Sequence, residues 1–572
     1  MRRALSGPRR SLGGGVAALA LAVAAAGSVG AQQAGTMAGR SPVYAPHGVV
    51  ATPQPLASQA GLRVLQEGGN AVDAAVTALV MLSLVEPMMS GPGGDVFAIL
   101  WSAKEQRLVG LNASGRAGSH MTLAELRRRG HQRMPVAGAE TVTVPGAISG
   151  WAALLERYGT RSFAEALAPT VALARDGFPV SPVIASEWAV FAETLRADSG
   201  GRAALLLDGA RAPAAGEWFS NRDYAATLER LAAKGPGDFY GGVLGRRVVD
   251  GVERLGGFLT VDDLVRHRVE WVDPIGVPFR GYRLWELPPN GQGIAALEML
   301  RILEPFELER MGHNSAAYLH HLIEAKKLAY ADLERWIGDP DQMRATPAQL
   351  LSDRFVERRR ALLDPTRASA GPEAGELVAA SNTTYLTAAD AEGNMISLIA
   401  SLASGFGSGV VVPGTGFALQ NRGVGFSLEP DRPNTVAPGR RPLHTIIPGF
   451  VTRIGTDGKD EPWVSYGIVG GAQQPQAHVQ VLLNMVAFGM DPQRALDAAR
   501  FNHLAGLRVG LEAPIPTDVV AALEAMGHER LDTSRILGGL PVLFGGGQVI
   551  VRARRGWIAG SEPRRDGLAA GY

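Results

Sequence analysis

One stretch of the sequence combines two strand-like runs with a loop that fixes how they pair. Runs rich in β-branched and apolar residues flank residues 391–393, and the glycine that ends this loop suits the left-handed position after a type I turn. Counting outward from the residues beside the loop places Thr383 opposite Ser401, with Cβ atoms about 5 Å apart if the strands contain no bulge. Residues 382–401 are therefore predicted to form a β-hairpin with two hydroxyl groups facing each other at its open end.

The segment before this hairpin has the composition of an exposed connection. From Asp364 to Asn382 it is rich in proline, alanine, glycine and serine and has almost no large apolar residue. Cleavage of the Asn382–Thr383 bond would cost little packing, and it would give Thr383 both a hydroxyl and a free α-amine, whose reference pKa of about 8 suits it as a base. That is the arrangement of an N-terminal threonine nucleophile. Taken alone, the Thr-Thr pair is better explained by ordinary β-propensity.

Length and composition fit a large globular chain with no strong electrostatic preference. Of its 572 residues, 46% are hydrophobic and 19% are charged, and the formal net charge of +1 gives no argument for binding nucleic acid or an anionic membrane. The absence of cysteine excludes disulfides, thiol nucleophiles and thiolate metal sites.

The N-terminus has the three-part pattern of a secretory signal peptide. Residues 1–10 are basic, residues 16–26 form a short apolar run, and Val29-Gly30-Ala31 matches an A-x-A-like cleavage site. We expect residues 1–31 to be removed on export, which places the mature protein in the periplasm or outside the cell. The apolar run is too short to span a bilayer, so we expect no membrane anchor. Arg9-Arg10 offers a twin-arginine signal as the alternative export route.

The histidines do not suggest a metal centre, and we expect neither a metal nor a cofactor. His320 and His321 are adjacent and cannot share one face of a helix. His313 lies two turns from His320, too far to chelate the same ion without a ligand from a third element.

Motifs spread through the chain after about residue 45 carry a resemblance that extends far beyond the hairpin. They are Pro55-Leu56-Ala57-Ser58, residues 68–75, Val144-Pro145-Gly146, residues 174–178, Arg280-Gly281-Tyr282, Pro288-Pro289, Tyr330-Ala331-Asp332, Gly338-Asp339-Pro340, residues 405–416, Arg441-Pro442-Leu443, Gly470-Gly471, residues 560–563 and residues 569–572. In order and spacing these motifs resemble the gamma-glutamyltransferase (gamma-glutamyltranspeptidase) family. Residues 91–95, 289–293 and 419–423 look closer to the branch of that family that contains cephalosporin acylases and oxamate amidohydrolase.

The resemblance implies an α+β fold, the four-layer αββα sandwich of N-terminal-nucleophile hydrolases. It also implies self-cleavage between Asn382 and Thr383. Residues 32–382 would form a large subunit and residues 383–572 a small catalytic subunit, both packed into one unit.

The same resemblance assigns catalytic roles. The hydroxyl of Thr383 would attack first the carbonyl of Asn382 and later a substrate amide, and Ser401 would hold and polarise that hydroxyl. Thr384 matches the family's second threonine. Gly470 and Gly471 would supply backbone N–H groups for the oxyanion, since glycine lets the backbone approach closely.

The positions that would recognise the α-amine of a glutamyl group depart from the family pattern. The family uses an asparagine two residues after the hydroxyl residue that corresponds to Ser401. It also uses acidic or amide residues near the end of the following strand. Here those positions hold Ala403, Arg422 and Gly425. A cation therefore stands where the family places groups that bind a cation.

The end that would bind the substrate α-carboxylate also departs from the family. The family's paired serines are replaced by His444 and Thr445, and its arginine motif recurs with Arg116 displaced by two positions. Arg116 and Arg422 could each grip a carboxylate through two hydrogen bonds, although a surface ion pair is an alternative role for Arg422. We interpret His444 as a hydrogen-bonded core or rim histidine, because an N-terminal threonine needs no separate base.

The resemblance implies a self-processing threonine amidohydrolase or acyltransferase. Its partners would be a small-molecule amide, water or an amine acceptor, and the two fragments of its own chain. A γ-glutamyl amide such as glutathione is the family's default substrate, and a small carboxyl-bearing acyl amide without the α-amine (glutaryl, cephalosporin or oxamate type) is the close alternative. An alternative of another class is a solute-binding protein that lost catalysis. Ser401 and Gly470-Gly471 argue against it, since a binding protein needs neither.

Overall fold

The computed structural model describes residues 39–371, 382–533 and 541–572, and residues 41–572 form one compact unit. The predicted signal peptide and residues 372–381 of the predicted exposed connection lie outside the described residues. The helices are α1 Pro55–Gln66, α2 Ala71–Val85, α3 Leu123–Arg128, α4 Ala147–Tyr158, α5 Phe163–Asp176, α6 Pro182–Val190, α7 Ala192–Ala197, α8 Ser199–Leu205, α9 Arg222–Lys234, α10 Val243–Arg254, α11 Val261–Arg266, α12 Gly293–Leu303, α13 Leu308–Met311, α14 Ala316–Trp336, α15 Pro347–Leu350, α16 Asp353–Arg360, α17 Gln473–Val486, α18 Pro492–Asp497 and α19 Thr517–Ala525.

The strands are β1 Val43–Ala45, β2 Val49–Thr52, β3 Asp95–Ser102, β4 Arg107–Asn112, β5 Phe178–Pro179, β6 Trp218–Phe219, β7 Glu270–Val272, β8 Ile275–Phe279, β9 Tyr282–Glu286, β10 Asn382–Ala389, β11 Met395–Ala403, β12 Gly449–Ile454, β13 Asp460–Ile468, β14 Phe501–His503, β15 Arg508–Leu511, β16 Glu529–Arg530, β17 Gly547–Arg552, β18 Trp557–Ser561 and β19 Leu568–Gly571. Two sheets have seven strands each, in the orders β1-β18-β17-β13-β12-β9-β8 and β19-β2-β10-β11-β3-β4-β7. The hairpin β10-β11 lies at the centre of the second sheet.

The two large sheets pack face to face, and helices cover their outer faces. Alternate residues of a strand point to opposite faces, so Tyr385 joins an apolar cluster between the sheets while Leu386 packs with α2 on the other side. Helices α12, α14 and α17 pack on the outer face of the first sheet, against residues such as Val464. The fold is thus the four-layer αββα sandwich that the sequence predicted.

The start and the burial of helix α2 follow from its sequence. Asn70 caps α2 through a capping box with Asp73, as the step from a Gly-Gly turn into an apolar run predicts. All fifteen residues of α2 are buried, which agrees with an apolar surface on every side. In the part of the chain that the structure describes, no helix is both long and apolar enough to cross a membrane.

The hairpin has the predicted register from its loop to its open end. Ala389 pairs with Met395 and Thr383 pairs with Ser401, and Gly393 in the loop has a φ of 93°. The strands become irregular one residue further out, where Asn382 pairs with Ala403. This irregularity falls at the bond predicted to be cut.

Candidate active site

The hydroxyl of Ser401 is the centre of a hydrogen-bond network at the open end of the hairpin. Its Oγ donates to the carbonyl oxygen of Asn382 at 2.9 Å, and it accepts from the Ala403 N–H at 2.7 Å and from Arg422 Nη2 at 2.9 Å. The hydroxyl of Thr383 lies 3.4 Å away, which is long for a bond between two hydroxyls. In the uncut chain the proton of Ser401 is therefore committed to the carbonyl of the Asn382–Thr383 bond.

The two threonines point to opposite faces of β10. Thr383 lies on the face between the sheets, where it is 3% exposed. Thr384 points to the helix side, and its Oγ1 donates to Glu86 Oε2 at 3.0 Å. Because neighbouring residues of a strand alternate in direction, Thr384 does not share the polar group around Ser401.

Arg422 is buried beside Ser401 without a carboxylate partner. Its side chain is 2% exposed, its Nη1 donates to Thr445 Oγ1 at 2.9 Å, and its Nε has no hydrogen-bond partner. Within the described ranges no carboxylate lies within 4.0 Å of this guanidinium. Burial lowers the pKa of Arg422 to about 10. The surface ion pair considered as an alternative is therefore wrong, since the residue is neither at the surface nor paired.

His444 is a buried, hydrogen-bonded histidine. Its Nε2 lies 3.1 Å from Asp95 Oδ2, and its ring stacks at a tilt on Phe97 with centroids 4.7 Å apart. Burial and the nearby guanidinium of Arg422 lower the pKa of His444 to about 4. The ring is consequently neutral at pH 7 and donates to Asp95, as expected for a structural histidine.

Asp95 accepts hydrogen bonds from four donors around it. Besides His444, it accepts hydrogen bonds from the N–H groups of Gly115 and Gly146 at 3.1 and 3.0 Å and from Gln420 Nε2 at 3.1 Å. Asp95 pairs with Ser401 across strands β3 and β11. Three of these donors bind Oδ1, whereas Oδ2 accepts only from His444, and Asp95 itself is fully buried.

Arg116 belongs to a different cluster. Its guanidinium pairs with Glu270 at 3.1 Å and with Asp339 at 3.4 Å, and it donates to the carbonyl of Gly439 at 3.0 Å. Arg441 pairs with the same Glu270 at 2.5 Å. The structure thus gives Arg116 carboxylate partners of its own, unlike Arg422.

Gly470 and Gly471 form the sharp turn between β13 and α17. Their φ angles are 123° and 60°, and the first of these is accessible in practice only to glycine. No carbonyl of the described residues accepts from either N–H group, while Gln292 holds the carbonyl of Gly471 at 2.8 Å. Two backbone donors are therefore left free where an oxyanion site is predicted.

A small cavity borders Thr383. Its walls are formed by Pro53, Glu86, Met89, Thr383, Tyr385, Val469, Gly546, Gln548 and Arg565. Val469 immediately precedes the glycine turn, so the cavity connects the neighbourhood of Thr383 with that of Gly470. Its volume is close to the minimum that holds one water molecule. This cavity is too small to hold an acyl amide.

Among the described residues, a group of potential metal ligands lies between α14 and the segment that follows α19. His320, Glu324 and His528 bring their ligand atoms within 4.8 Å of one another. His528 is distant in sequence, which is why the spacing of His313, His320 and His321 could not reveal the group. Both carboxylate oxygens of Glu324 are already bonded, one to Lys327 Nζ at 2.7 Å and the other to Ser369 Oγ at 2.5 Å. The oxygens of Glu324 are therefore engaged, whereas Nδ1 of His528 is buried without a hydrogen-bond partner.

Comparison with known proteins decides the family. The Gamma-glutamyltranspeptidase family model matches residues 57–572. The chain belongs to the gamma-glutamyltranspeptidase family. Members of this family are N-terminal-nucleophile hydrolases, so the protein is an enzyme of that class.

Among its relatives, the chain is 35% identical to the "Glutathione hydrolase-like YwrD proenzyme" of Bacillus subtilis (strain 168) over 91% of this chain and 98% of the relative. It is also 35% identical to the "Acylase ACY 1 proenzyme" of Pseudomonas sp. (strain SE83), over 88% and 90%. Among solved structures, a cephalosporin acylase from Bacillus halodurans is 41% identical, covers 93% of this chain and 97% of its own, and has a TM-score of 0.86. Both relatives are named as proenzymes.

Sequence reasoning missed the buried carboxyl of Glu86. Glu86 follows α2 directly and precedes Pro87, and a glutamate at the end of a helix that is apolar all round has to be buried. Glu86 lies close to Thr384 and to the cavity beside Thr383, although these residues are about 300 positions away in the sequence. No local sequence pattern predicts a contact between segments so far apart.

Proposed function

We propose that this protein is an exported, self-processing threonine amidohydrolase that acts on amides of a small carboxyl-bearing acyl group. The basic, apolar and small-residue pattern of residues 1–31 supports export. The names of the relatives as proenzymes support processing into two fragments of one chain.

Self-processing begins at Thr383. Its hydroxyl attacks the carbonyl carbon of Asn382, the peptide nitrogen of Thr383 takes up a proton and leaves as an amine, and an ester remains between the two residues. Water then adds to this ester, which returns the hydroxyl to Thr383 and leaves a carboxylate on Asn382. The 2.9 Å hydrogen bond from Ser401 to the carbonyl oxygen supports this step, because it stabilises the negative charge that develops on that oxygen.

Turnover repeats the attack on an external amide. The hydroxyl of Thr383, assisted by its own α-amine, attacks the substrate carbonyl, and the amine portion of the substrate leaves as the acyl-enzyme forms. The free N–H groups of Gly470 and Gly471 are proposed to bind the oxyanion. Water or an amine then takes the acyl group.

The burial of Arg422 without a carboxylate partner is the observation that favours this class of substrate. Burial of the guanidinium without a hydrogen-bonded carboxylate costs free energy that the nearby charge of Asp95 offsets only in part, and a substrate carboxylate would offset more of it through two charge-assisted hydrogen bonds. Departure of Asn382 after cleavage would free the Ser401 hydroxyl beside Arg422 for such a group. Thr445, which accepts a hydrogen bond from Arg422, lies next to it.

An α-ammonium group finds no comparable partner at the same place. Ala403 and Gly425 carry no side-chain acceptor, and Asp95 is fully buried and already accepts from four donors. Hydrolysis of γ-glutamyl amides remains the second candidate function, because the matching family model and one relative carry names of that activity.

The test compares two matched chromogenic amides, glutaryl 4-nitroanilide and γ-L-glutamyl 4-nitroanilide, which differ by one α-amine. We expect the wild-type enzyme to have the higher kcat/KM on the glutaryl compound, and Thr383→Ala to have no activity on either. A higher kcat/KM on the γ-glutamyl compound would replace the first candidate by the second. Tight binding without turnover would favour a binding protein instead.

A further inference from the structure

The carboxyl group of Glu86 has no role in the chemistry described so far, yet it lies beside the nucleophile. Glu86 is 1% exposed at the end of α2, and its Oε2 accepts the hydroxyl of Thr384, the residue after the nucleophile, at 3.0 Å. Glu86 and Thr383 also form part of the wall of the same one-water cavity. Both contacts place this carboxyl next to the point where β10 begins.

The charged neighbours of Glu86 leave it without a direct counter-ion. Arg565 forms another part of the cavity wall, but its guanidinium is hydrogen-bonded to Glu187, which is itself 3% exposed. Asp566 adds a further negative charge nearby. Burial raises the pKa of Glu86 to about 8 against the opposing effect of Arg565. Glu86 is therefore largely protonated and neutral at pH 7 while the chain is uncut.

Cleavage changes what this carboxyl faces. In the uncut chain the nitrogen of Thr383 is a neutral amide, whereas after cleavage it is an amine with a reference pKa of about 8. Thr383 is 3% exposed, so its ammonium form would be costly there without a partner of opposite charge. A buried carboxyl on the adjoining cavity wall is such a partner.

We propose that Glu86 is a positioning residue for the α-amine that cleavage creates on Thr383, and that the two groups share one proton. The inference rests on the proposed function, since it requires the amine to exist. In one form Glu86 is ionised and holds the ammonium group in place. In the other form the proton lies on Glu86, and the amine is free to accept the proton of the Thr383 hydroxyl during attack.

The carboxyl in the uncut chain and an α-amine in water bind protons over the same pH range. The pKa of Glu86 in the uncut chain is about 8, and the reference pKa of an α-amine is about 8 as well. Two groups that interact this strongly titrate as a pair, with two apparent pKa values that belong to both. The rising limb of the pH profile of kcat/KM therefore has two steps, because the ion-paired form keeps part of the amine protonated until the second proton leaves.

The test uses Glu86→Gln, which resembles the protonated carboxyl in shape but cannot ionise. We expect Glu86→Gln to be cut like the wild type, because Glu86 is neutral at that stage. In the processed wild-type enzyme ionised Glu86 keeps part of the amine protonated until the second proton leaves. Glu86→Gln lacks this second step, so its kcat/KM reaches the plateau at a pH lower by about 1 to 3 units. Glu86→Asp keeps a carboxyl and should lie between the two. Glu193→Gln, a change at an exposed carboxylate, is the matched control and should leave the limb in place.

Three outcomes would overturn the proposal. The first is a processed Glu86→Gln enzyme with the wild-type pH profile. The second is a folded Glu86→Gln chain that stays uncut, because the carboxyl would then act before the amine exists. The third, in case Glu86→Gln does not fold, is a processed Glu86→Asp enzyme whose acid limb equals that of the wild type. A wild-type chain that is never cut would instead overturn the proposed function, which keeps the two failures distinct.

Discussion

Arg422 Nη2 lies 2.9 Å from Ser401 Oγ, and the same hydroxyl donates to the carbonyl oxygen of Asn382 at 2.9 Å. The positive charge of the guanidinium makes the Ser401 hydroxyl a better donor, because hydrogen bonds in a chain polarise one another. This relay reaches the carbonyl that Thr383 is proposed to attack. If cleavage removes Asn382, Ser401 loses that acceptor, and its hydroxyl becomes available to a substrate beside Arg422.

Ser401→Ala should slow the cleavage of the chain while leaving the fold intact. The substitution removes the donor to the Asn382 carbonyl, and one such bond contributes about 1 to 3 kcal/mol, or roughly ten- to a hundredfold in rate. The rate can be followed from the disappearance of the uncut band after synthesis. A matched substitution at Ser186, an exposed helical serine, should have no effect. Cleavage of Ser401→Ala at the wild-type rate would contradict the assigned role.

Arg422→Gln should narrow the difference in kcat/KM between glutaryl and γ-glutamyl 4-nitroanilide. The charge-assisted hydrogen bonds that favour the glutaryl compound are lost, so we expect its advantage to fall by roughly tenfold or more. The ratio of the two substrates is the informative quantity, because Arg422 also binds Ser401 and both rates should decrease. Arg310→Gln, at an arginine whose side chain is 79% exposed, serves as the control. An unchanged ratio in Arg422→Gln would exclude this residue from substrate selection.

Ala403→Asn should increase activity on the γ-glutamyl compound relative to the glutaryl compound. Ala403 has a φ of 78°, a left-handed conformation that asparagine tolerates better than alanine. The new amide oxygen would also supply an acceptor for the substrate α-ammonium group next to Ser401. The expected result is a change in the kcat/KM ratio with no loss of thermal stability. A destabilised variant with an unchanged ratio would argue against an amine site at this position.

Glu86 should make the uncut chain less stable as the pH rises. Its folded pKa of about 8 exceeds the unfolded value of 4.5, so between these values the unfolded chain releases a proton that the folded chain retains. Stability due to this group is present below pH 4.5 and is lost as the pH approaches 8. The melting temperature of Thr383→Ala should therefore fall between pH 6.5 and 8, and Thr383→Ala/Glu86→Gln should fall less. Identical slopes for the two variants would show that Glu86 ionises normally.

Local sequence signals were sufficient for the elements that carry the nucleophile. The register of Thr383 and Ser401 follows from strand alternation and the length of one loop, and the cap at Asn70 follows from a short motif. The layered fold followed from the family resemblance. The partners of the site were not predictable in the same way, because they depend on contacts between distant segments. The burial and the partners of Arg422 are an example. They could be determined only from the positions of residues 422 and 445 relative to β11.

Residue composition predicted the exposure of the segment before the hairpin but not its hydrogen bonds. Residues 364–371 are largely exposed, as predicted, but their backbone is hydrogen-bonded to other parts of the protein. His320 Nε2 lies 2.7 Å from the carbonyl oxygen of Asp364, and Lys327 Nζ donates to the carbonyl of Ser369 at 2.7 Å. These contacts come from buried polar groups of α14, whose partners a helical pattern does not reveal.

The new N-terminus of the small fragment tests the central claim most directly. Purified wild-type protein should separate into two fragments under denaturing conditions, and sequencing of the smaller one should begin Thr383-Thr384-Tyr385. The same preparation of Thr383→Ala should remain a single chain, because the attacking hydroxyl is absent. A wild-type protein that is active as an intact chain, or a small fragment that begins at any other residue, would contradict the account.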